Sequence, residues 1–163
     1  MDRLYTPWRN DYIKGASGEK TGHGEACVFC ALAAREDDDE TFILHRARRN
    51  YVVLNVYPYT SGHLMVVPFE HTADFAALAK ETSDEMMDLA KRAQAILQEV
   101  YRPHGFNLGL NLGHAAGAGV TDHLHLHLLP RWSGDSNFMT TVAETRVLPE
   151  DLRTTYDKLR RQF

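Results

Sequence analysis

In the stretch HLHLHLLPRW, residues 123–132, His123, His125 and His127 alternate with Leu124, Leu126 and Leu128. Three of the chain's nine histidines therefore occupy alternate positions. On a β-strand successive side chains point to opposite faces, so the leucines would bury on one face and the imidazoles would line the other. Neighbouring histidines would stand roughly 6.5–7 Å apart, close enough for two imidazoles to engage one phosphate-sized group. Three readings compete. A half-exposed strand could carry histidine on its polar face with no further role. Histidines two apart on a strand can reach one Zn²⁺. Imidazoles can also act as nucleophile or general acid and base, near their unperturbed pKa of ~6.5.

The segment before the triad favours the last reading. GHAAGAG, residues 113–119, carries Gly113, Gly117 and Gly119, whose backbone can turn tightly and aim N–H groups at an anion. A glycine-rich loop entering a histidine-lined strand suits phosphoryl or nucleotidyl chemistry. It is not a P-loop, because the GxxxxGK[ST] pattern is absent. The only two cysteines, Cys27 and Cys30, sit together in CVFC. Two cysteines cannot build a disulfide framework, and their surroundings lack a thioredoxin-like βαβ pattern. As half of a zinc site the pair needs two further ligands. The run REDDDE, 35–40, reads as a solvated loop, and a metal site made of Asp37, Asp38 and Asp39 alone is the weaker reading.

The positioning elements follow from periodicity. FILH (42–45), YVVLNV (51–56) and HLMVVP (63–68) are rich in β-branched and aromatic residues, as strands are. Their short connections fit an antiparallel meander, since parallel strands need longer crossovers. Thr82 and Glu85 have capping-box spacing, and Met86, Leu89, Ala93, Ile96, Leu97 and Val100 then recur every three or four residues. That predicts an amphipathic helix of about five turns, stopped by Pro103 and Gly105. FNLGLNLG (106–113) and DHLHLHLL (122–129) are the last strand candidates. Pro149 is expected in the first turn of a C-terminal helix carrying Leu152, Tyr156, Leu159 and Phe163. Residues 1–26 read as an arm with aromatic anchors at Tyr5–Trp8 and Tyr12–Ile13. The expected architecture is α+β, about five antiparallel strands with one long helix against them.

The whole chain sets outer bounds. Its 163 residues suit one domain, and 25% charged residues with net charge −4 argue against a general nucleic-acid binder. No apolar run approaches the ~20 residues of a membrane span, and the N-terminus lacks the apolar core of a signal peptide. A cytoplasmic location is the expectation.

These motifs together resemble the histidine triad (HIT) family. The resemblance covers roughly residues 27–132 and includes CVFC, LNVYPYTSGHLMVVPFEH, NLGLNLG and HLHLHLLPR. PWR near the start and RWSGDSNF near the end resemble the bacterial branch related to diadenosine tetraphosphate phosphorylases. The resemblance implies one HIT domain over 1–163, with an arm (1–26), a core (27–132) and a C-terminal extension (133–163). It implies a nucleotidyl-histidine intermediate on His125, with His127 at the phosphate oxygens and Asn111 beside the nucleophile. Asn55 matches a ribose-binding position, although it could instead cap its turn. Val53 and Met65 would lie near the base, and Gly117 and Gly119 near the phosphates. A subset of HIT proteins completes a structural zinc site at the positions of His71 and His123, giving Cys27, Cys30, His71 and His123 here.

The implied activity is cleavage of dinucleoside polyphosphates, as phosphorylase or hydrolase. Magnesium is the cation that would accompany such a substrate, and a homodimer is the implied assembly. The alternatives are a nucleoside phosphoramidase or nucleotidyl transferase, a catalytic zinc held by the three histidines, and a nucleotide-binding regulatory protein with little turnover. The chain also departs from the family. Gly119-Val120 replaces a common Gln-Ser or Gln-Thr pair, and the Asn111–His123 loop is one residue longer. His114, inside that loop, reads as exposed.

Overall fold

The computed structural model describes residues 27–136, 140, 142 and 148–163. The N-terminal arm with its PWR motif and aromatic anchors therefore lies outside the described residues, as does the end of RWSGDSNF.

Five strands form one antiparallel sheet: β1 (Ile43–Arg46), β2 (Asn50–Leu54), β3 (Leu64–Pro68), β4 (Gly105–Leu110) and β5 (Leu126–Arg131). Their spatial order is β1-β2-β3-β5-β4, so the first three make the expected meander and β5 inserts between β3 and β4. The helices whose bounds fall within the described residues are α1 (Val28–Ala34), α2 (Asp38–Thr41), α3 (Lys80–Tyr101) and α4 (Leu152–Arg160).

The register assigns the two faces. Leu54, Leu64 and Leu128 are aligned across β2, β3 and β5, and so are Val52, Val66 and Leu126. These rows pack with Met86, Leu89, Ala93 and Leu97 of α3 and Tyr156 and Leu159 of α4 in one buried core. The next row, Val53–Met65–His127, faces the opposite way, where Phe29 of α1, Ile43, Tyr51 and Val67 form a second cluster. Directly opposed residues in an antiparallel sheet share a face, so alternation along each strand separates helix side from site side.

Several expected boundaries move. REDDDE is not simply a loop: Asp37 caps α2 by accepting from the Glu40 N–H at 3.2 Å, and Asp38 accepts from Arg46 Nε at 2.8 Å. The long helix starts at Lys80 and runs 22 residues, about six turns. Thr82 and Glu85 form no capping box. Thr82 is buried within the helix, and the Glu85 carboxylate accepts from the backbone N–H groups of Arg48, Arg49 and Asn50 and from Asn50 Nδ2. The β1–β2 turn thus takes the carboxylate that sequence spacing allotted to the helix end. Pro149 precedes α4, whose N-cap is Asp151, accepting from the Thr154 N–H at 2.8 Å; Phe163 lies past its end. β4 ends at Leu110, which leaves Asn111 outside the strand.

Candidate active site and metal centre

The triad straddles a strand start. β5 begins at Leu126, so His123 and His125 precede it and only His127 belongs to the ladder. None of the three is half-exposed: His123, His125 and His127 are 2%, 6% and 8% exposed. That burial removes the reading of the triad as an idle polar face, because buried imidazoles need partners. Leu124, Leu126 and Leu128 lie in the helix-side core, as the alternation requires.

Each histidine has a different partner. The His125 Nδ1–H donates to the His123 carbonyl at 2.9 Å. A carbonyl only accepts, so the neutral ring carries its proton on Nδ1 and keeps a lone pair on Nε2. That is the tautomer a nucleophile needs. Phe29 lies 5.0 Å from the His125 ring and 5.4 Å from the His123 ring, and its carbonyl accepts from the Tyr51 hydroxyl at 2.9 Å. α1 therefore supports both histidines from behind.

His127 is set by a chain that begins in the turn after β2. The Tyr59 backbone N–H donates to His63 Nδ1 at 3.2 Å, and His63 Nε2 lies 2.9 Å from His127 Nδ1. With its Nδ1 accepting, His63 donates from Nε2, which fixes the His127 proton on Nε2. Burial, reinforced by the neighbouring His125, pushes the His127 pKa down to about 4, so its ring is neutral at pH 7.

A cavity of about 240 Å³ opens over these groups, with Phe29, Asn55, Tyr59, Met65, Gly117, Gly119, His125 and His127 in its wall. Of the sequence-selected nucleotide contacts, Asn55, Met65, Gly117 and Gly119 reach this wall. Val53 is 1% exposed within the second core cluster, and half-buried Asn111 sits one residue past β4, so neither is part of it. Asn55 also caps its turn, accepting from the Tyr57 N–H at 2.9 Å. Gly117 adopts φ +89°, a left-handed conformation costly to other residues, although nothing would crowd a Cβ there. His114 is exposed at the start of a 3₁₀ turn, as expected. Phe29, Tyr59 and His63 escaped the sequence reading, because each looks like a core or turn residue until the fold brings it to the triad.

A separate cluster is Cys27, Cys30, His71 and His123, whose ligand atoms all lie within 4.8 Å of one another. His123 Nδ1 is 3.3 Å from Cys27 Sγ, 3.5 Å from Cys30 Sγ and 3.3 Å from His71 Nδ1. Zinc–ligand bonds of about 2.0–2.3 Å at tetrahedral angles give edges of roughly 3.3–3.8 Å. The donor spacing fits such an ion. The His123 Nε2–H donates to the Pro68 carbonyl at 2.9 Å, which fixes the ring and leaves the Nδ1 lone pair facing the cluster, able to bind a metal ion. With His123 so engaged, a catalytic metal held by all three triad histidines has no support: His125 Nδ1 and His127 Nδ1 are committed elsewhere.

Comparison with known proteins agrees with this geometry. The HIT domain profile matches residues 36–134. The chain is 39% identical over 157 residues to a Mycobacterium tuberculosis protein named AP-4-A phosphorylase, covering 95% of this chain and 80% of that one. A zinc-bound histidine triad family protein from Mycobacterium smegmatis superposes with a TM-score of 0.67 at 30% identity, over 84% of this chain and 92% of that one. A hypothetical histidine triad nucleotide-binding protein from Sulfolobus tokodaii gives the same TM-score at 25% identity, over 83% and 91% of the two chains.

Proposed function

The chain belongs to the HIT family, and from that premise we propose that it cleaves dinucleoside polyphosphates by phosphorolysis through a nucleotidyl-histidine intermediate. The observation that carries the reading is the 2.9 Å bond from His125 Nδ1 to the His123 carbonyl, which leaves Nε2 able to attack. His125 Nε2 forms a bond to the α-phosphorus as the bond to the bridging oxygen breaks, and the remaining nucleoside polyphosphate departs. The His127 Nε2–H, aligned through His63, donates to a phosphate oxygen as charge develops there. The intermediate splits one difficult displacement into two easier ones. Orthophosphate then attacks the same phosphorus, releasing a nucleoside diphosphate and restoring His125. The relative named AP-4-A phosphorylase supports orthophosphate over water as acceptor.

Cys27, Cys30, His71 and His123 would hold a structural Zn²⁺, closed to substrate by its four protein ligands. That ion would tie α1 to the start of the triad. Magnesium would enter on the substrate phosphates, since this cluster is the only metal-ligating group among the described residues. Two free thiols need a reducing compartment to remain ligands, which supports the cytoplasm. We also read 1–163 as one domain, because α4 of the C-terminal extension shares the core of α3 and the sheet. A homodimer is supported by β4, which among the described residues pairs only with β5 and carries Leu108 47% exposed. Among the described residues, no helix is long and apolar enough to cross a membrane.

The test is product analysis on diadenosine tetraphosphate with and without orthophosphate. Phosphate-dependent release of ADP and ATP is expected, and His125→Ala should abolish it while nucleotide still binds. AMP in place of ADP would show a hydrolase, and tight binding without turnover a regulatory protein. Turnover retained in His125→Ala would refute the mechanism.

A further inference from the structure

The thiols of Cys27 and Cys30 are both free and half-buried. Cys27 is the N-cap of α1, where its carbonyl accepts from the Ala31 N–H at 2.9 Å, so Cys30 follows within the first turn. Positions three apart on a helix share a face, with Cα atoms about 5 Å apart. A disulfide spans Cα separations of about 4.4–6.8 Å, so this spacing suits one. The sulfurs already converge: they lie 3.3 and 3.5 Å from the same atom, His123 Nδ1, and within 4.8 Å of each other. Val28 between them is 49% exposed and His71, 3.4 Å from Cys30 Sγ, is exposed, so the pair lies where small solutes reach it.

Such a pair has two uses that exclude each other. As thiolates the sulfurs are metal ligands. Joined in a disulfide they carry no charge, and only His71 and His123 would remain of the four donors. Two neutral imidazoles do not complete the tetrahedral set of a structural zinc site.

The pair also adjoins the nucleophile. Phe29, beside Val28 between the two cysteines, is the ring that packs on His123 and His125. The His123 carbonyl is the group that holds the His125 proton on Nδ1. Closing the sulfurs on each other withdraws both from His123 Nδ1 and bends the turn that carries Phe29.

We propose that Cys27 and Cys30 are a site of reversible oxidation by peroxides, which closes a disulfide across the first turn of α1, releases the metal and loosens the support of His125. One sulfur attacks a peroxide oxygen as the O–O bond breaks, giving a sulfenic acid and, from hydrogen peroxide, one water. The second sulfur displaces the sulfenic hydroxyl, which leaves as a second water while the S–S bond forms. The two thiol protons end on the waters, and the two electrons lost by the sulfurs reduce the peroxide. A dithiol reverses the reaction by exchange. The zinc reading enters only through the metal released, because the disulfide itself needs none.

The test adds hydrogen peroxide to the full chain, zinc-loaded and zinc-free, and follows intact mass, peptide mapping and a chromogenic zinc chelator. Both forms should lose the mass of two hydrogens, with Cys27 and Cys30 in one linked peptide, and the loaded form should release one zinc per disulfide. Dithiothreitol with zinc should restore thiols and metal. Met87, 42% exposed, reports indiscriminate oxidation, since its sulfoxide adds an oxygen that dithiothreitol leaves in place. Cys30→Ser, unable to close the bond, should stop at a sulfenic acid on Cys27 that dimedone traps. Thiols that outlast Met87 in either form, a disulfide between two chains, or zinc retained through disulfide formation would overturn the proposal. Turnover of diadenosine tetraphosphate is a separate readout, expected to fall by about 10-fold or more on oxidation and to return on reduction. Turnover unchanged by the disulfide would overturn the link to His125, whereas a wild type inactive from the start would refute phosphorolysis and leave the thiol result standing.

Discussion

Acidification should destabilise the protein through His127, and the size of the effect follows from its surroundings. The ring is 8% exposed and receives a hydrogen bond on Nδ1 from His63, itself 1% exposed. Burial is the main cause of a pKa near 4, against 6.5 for a free imidazole, with adjacent His125 adding to it. Between those values the unfolded chain binds a proton that the folded chain refuses. His127 therefore contributes its full stability above pH ~6.5, and this is lost as pH falls toward 4. Integrating the linkage from pH 7 to pH 5 gives a loss of about 2 kcal/mol from this one group. For a chain of this length that corresponds to roughly 4–8 °C in Tm. The assay is urea unfolding of wild type and His127→Asn at both pH values, zinc-replete throughout. His45 and His123, whose pKa values burial also lowers, titrate in both proteins and cancel in the difference. The wild type should lose about 2 kcal/mol more than the variant. Equal losses would refute the argument that His127 is held neutral by its burial.

Three further outcomes are expected. Cys27→Ala should bind less than one equivalent of zinc by elemental analysis and melt lower, by about 3 kcal/mol if the ion is present at a few hundred times its dissociation constant; stable, zinc-replete variant protein would contradict the metal assignment. Phe29→Ala, which removes a 5% exposed ring from behind His123 and His125, should lose about 3–5 kcal/mol in denaturant titration and reduce kcat. For Glu85, burial raises the pKa but its N–H donors lower it further, so it stays ionised and its contribution disappears as pH falls below the usual carboxylate range. Glu85→Ala should therefore cost about 2 kcal/mol at pH 7 by thermal unfolding, and the difference from wild type should shrink toward pH 3.

Much of the fold was legible because its signals are local. The apolar spacing of Met86, Leu89, Ala93 and Leu97 predicted the face of α3 that is buried, and the β-branched runs located three strands to within a residue or two. Element ends were less legible, because they depend on partners elsewhere. Glu85 caps nothing on its own helix since the N–H groups of Arg48, Arg49 and Asn50 take its carboxylate. β5 starts at Leu126 because its partner β3 begins pairing there, at Val66. Asn55 satisfied both of its readings, capping the turn and lining the cavity.

The sequence by itself determined that three imidazoles would share one side of an extended segment while three leucines pinned the other to the core. It could not distinguish the three, because equal spacing along a strand makes equivalent positions. Tertiary packing broke that equivalence with residues far away in the chain. Cys27 and His71 draw His123 into a donor cluster that could hold a metal ion, Phe29 packs against His125 at the cavity, and His63 sets the proton of His127. Periodicity fixes which way a side chain points; what it meets there depends on elements 52 to 96 positions away, brought near only by folding.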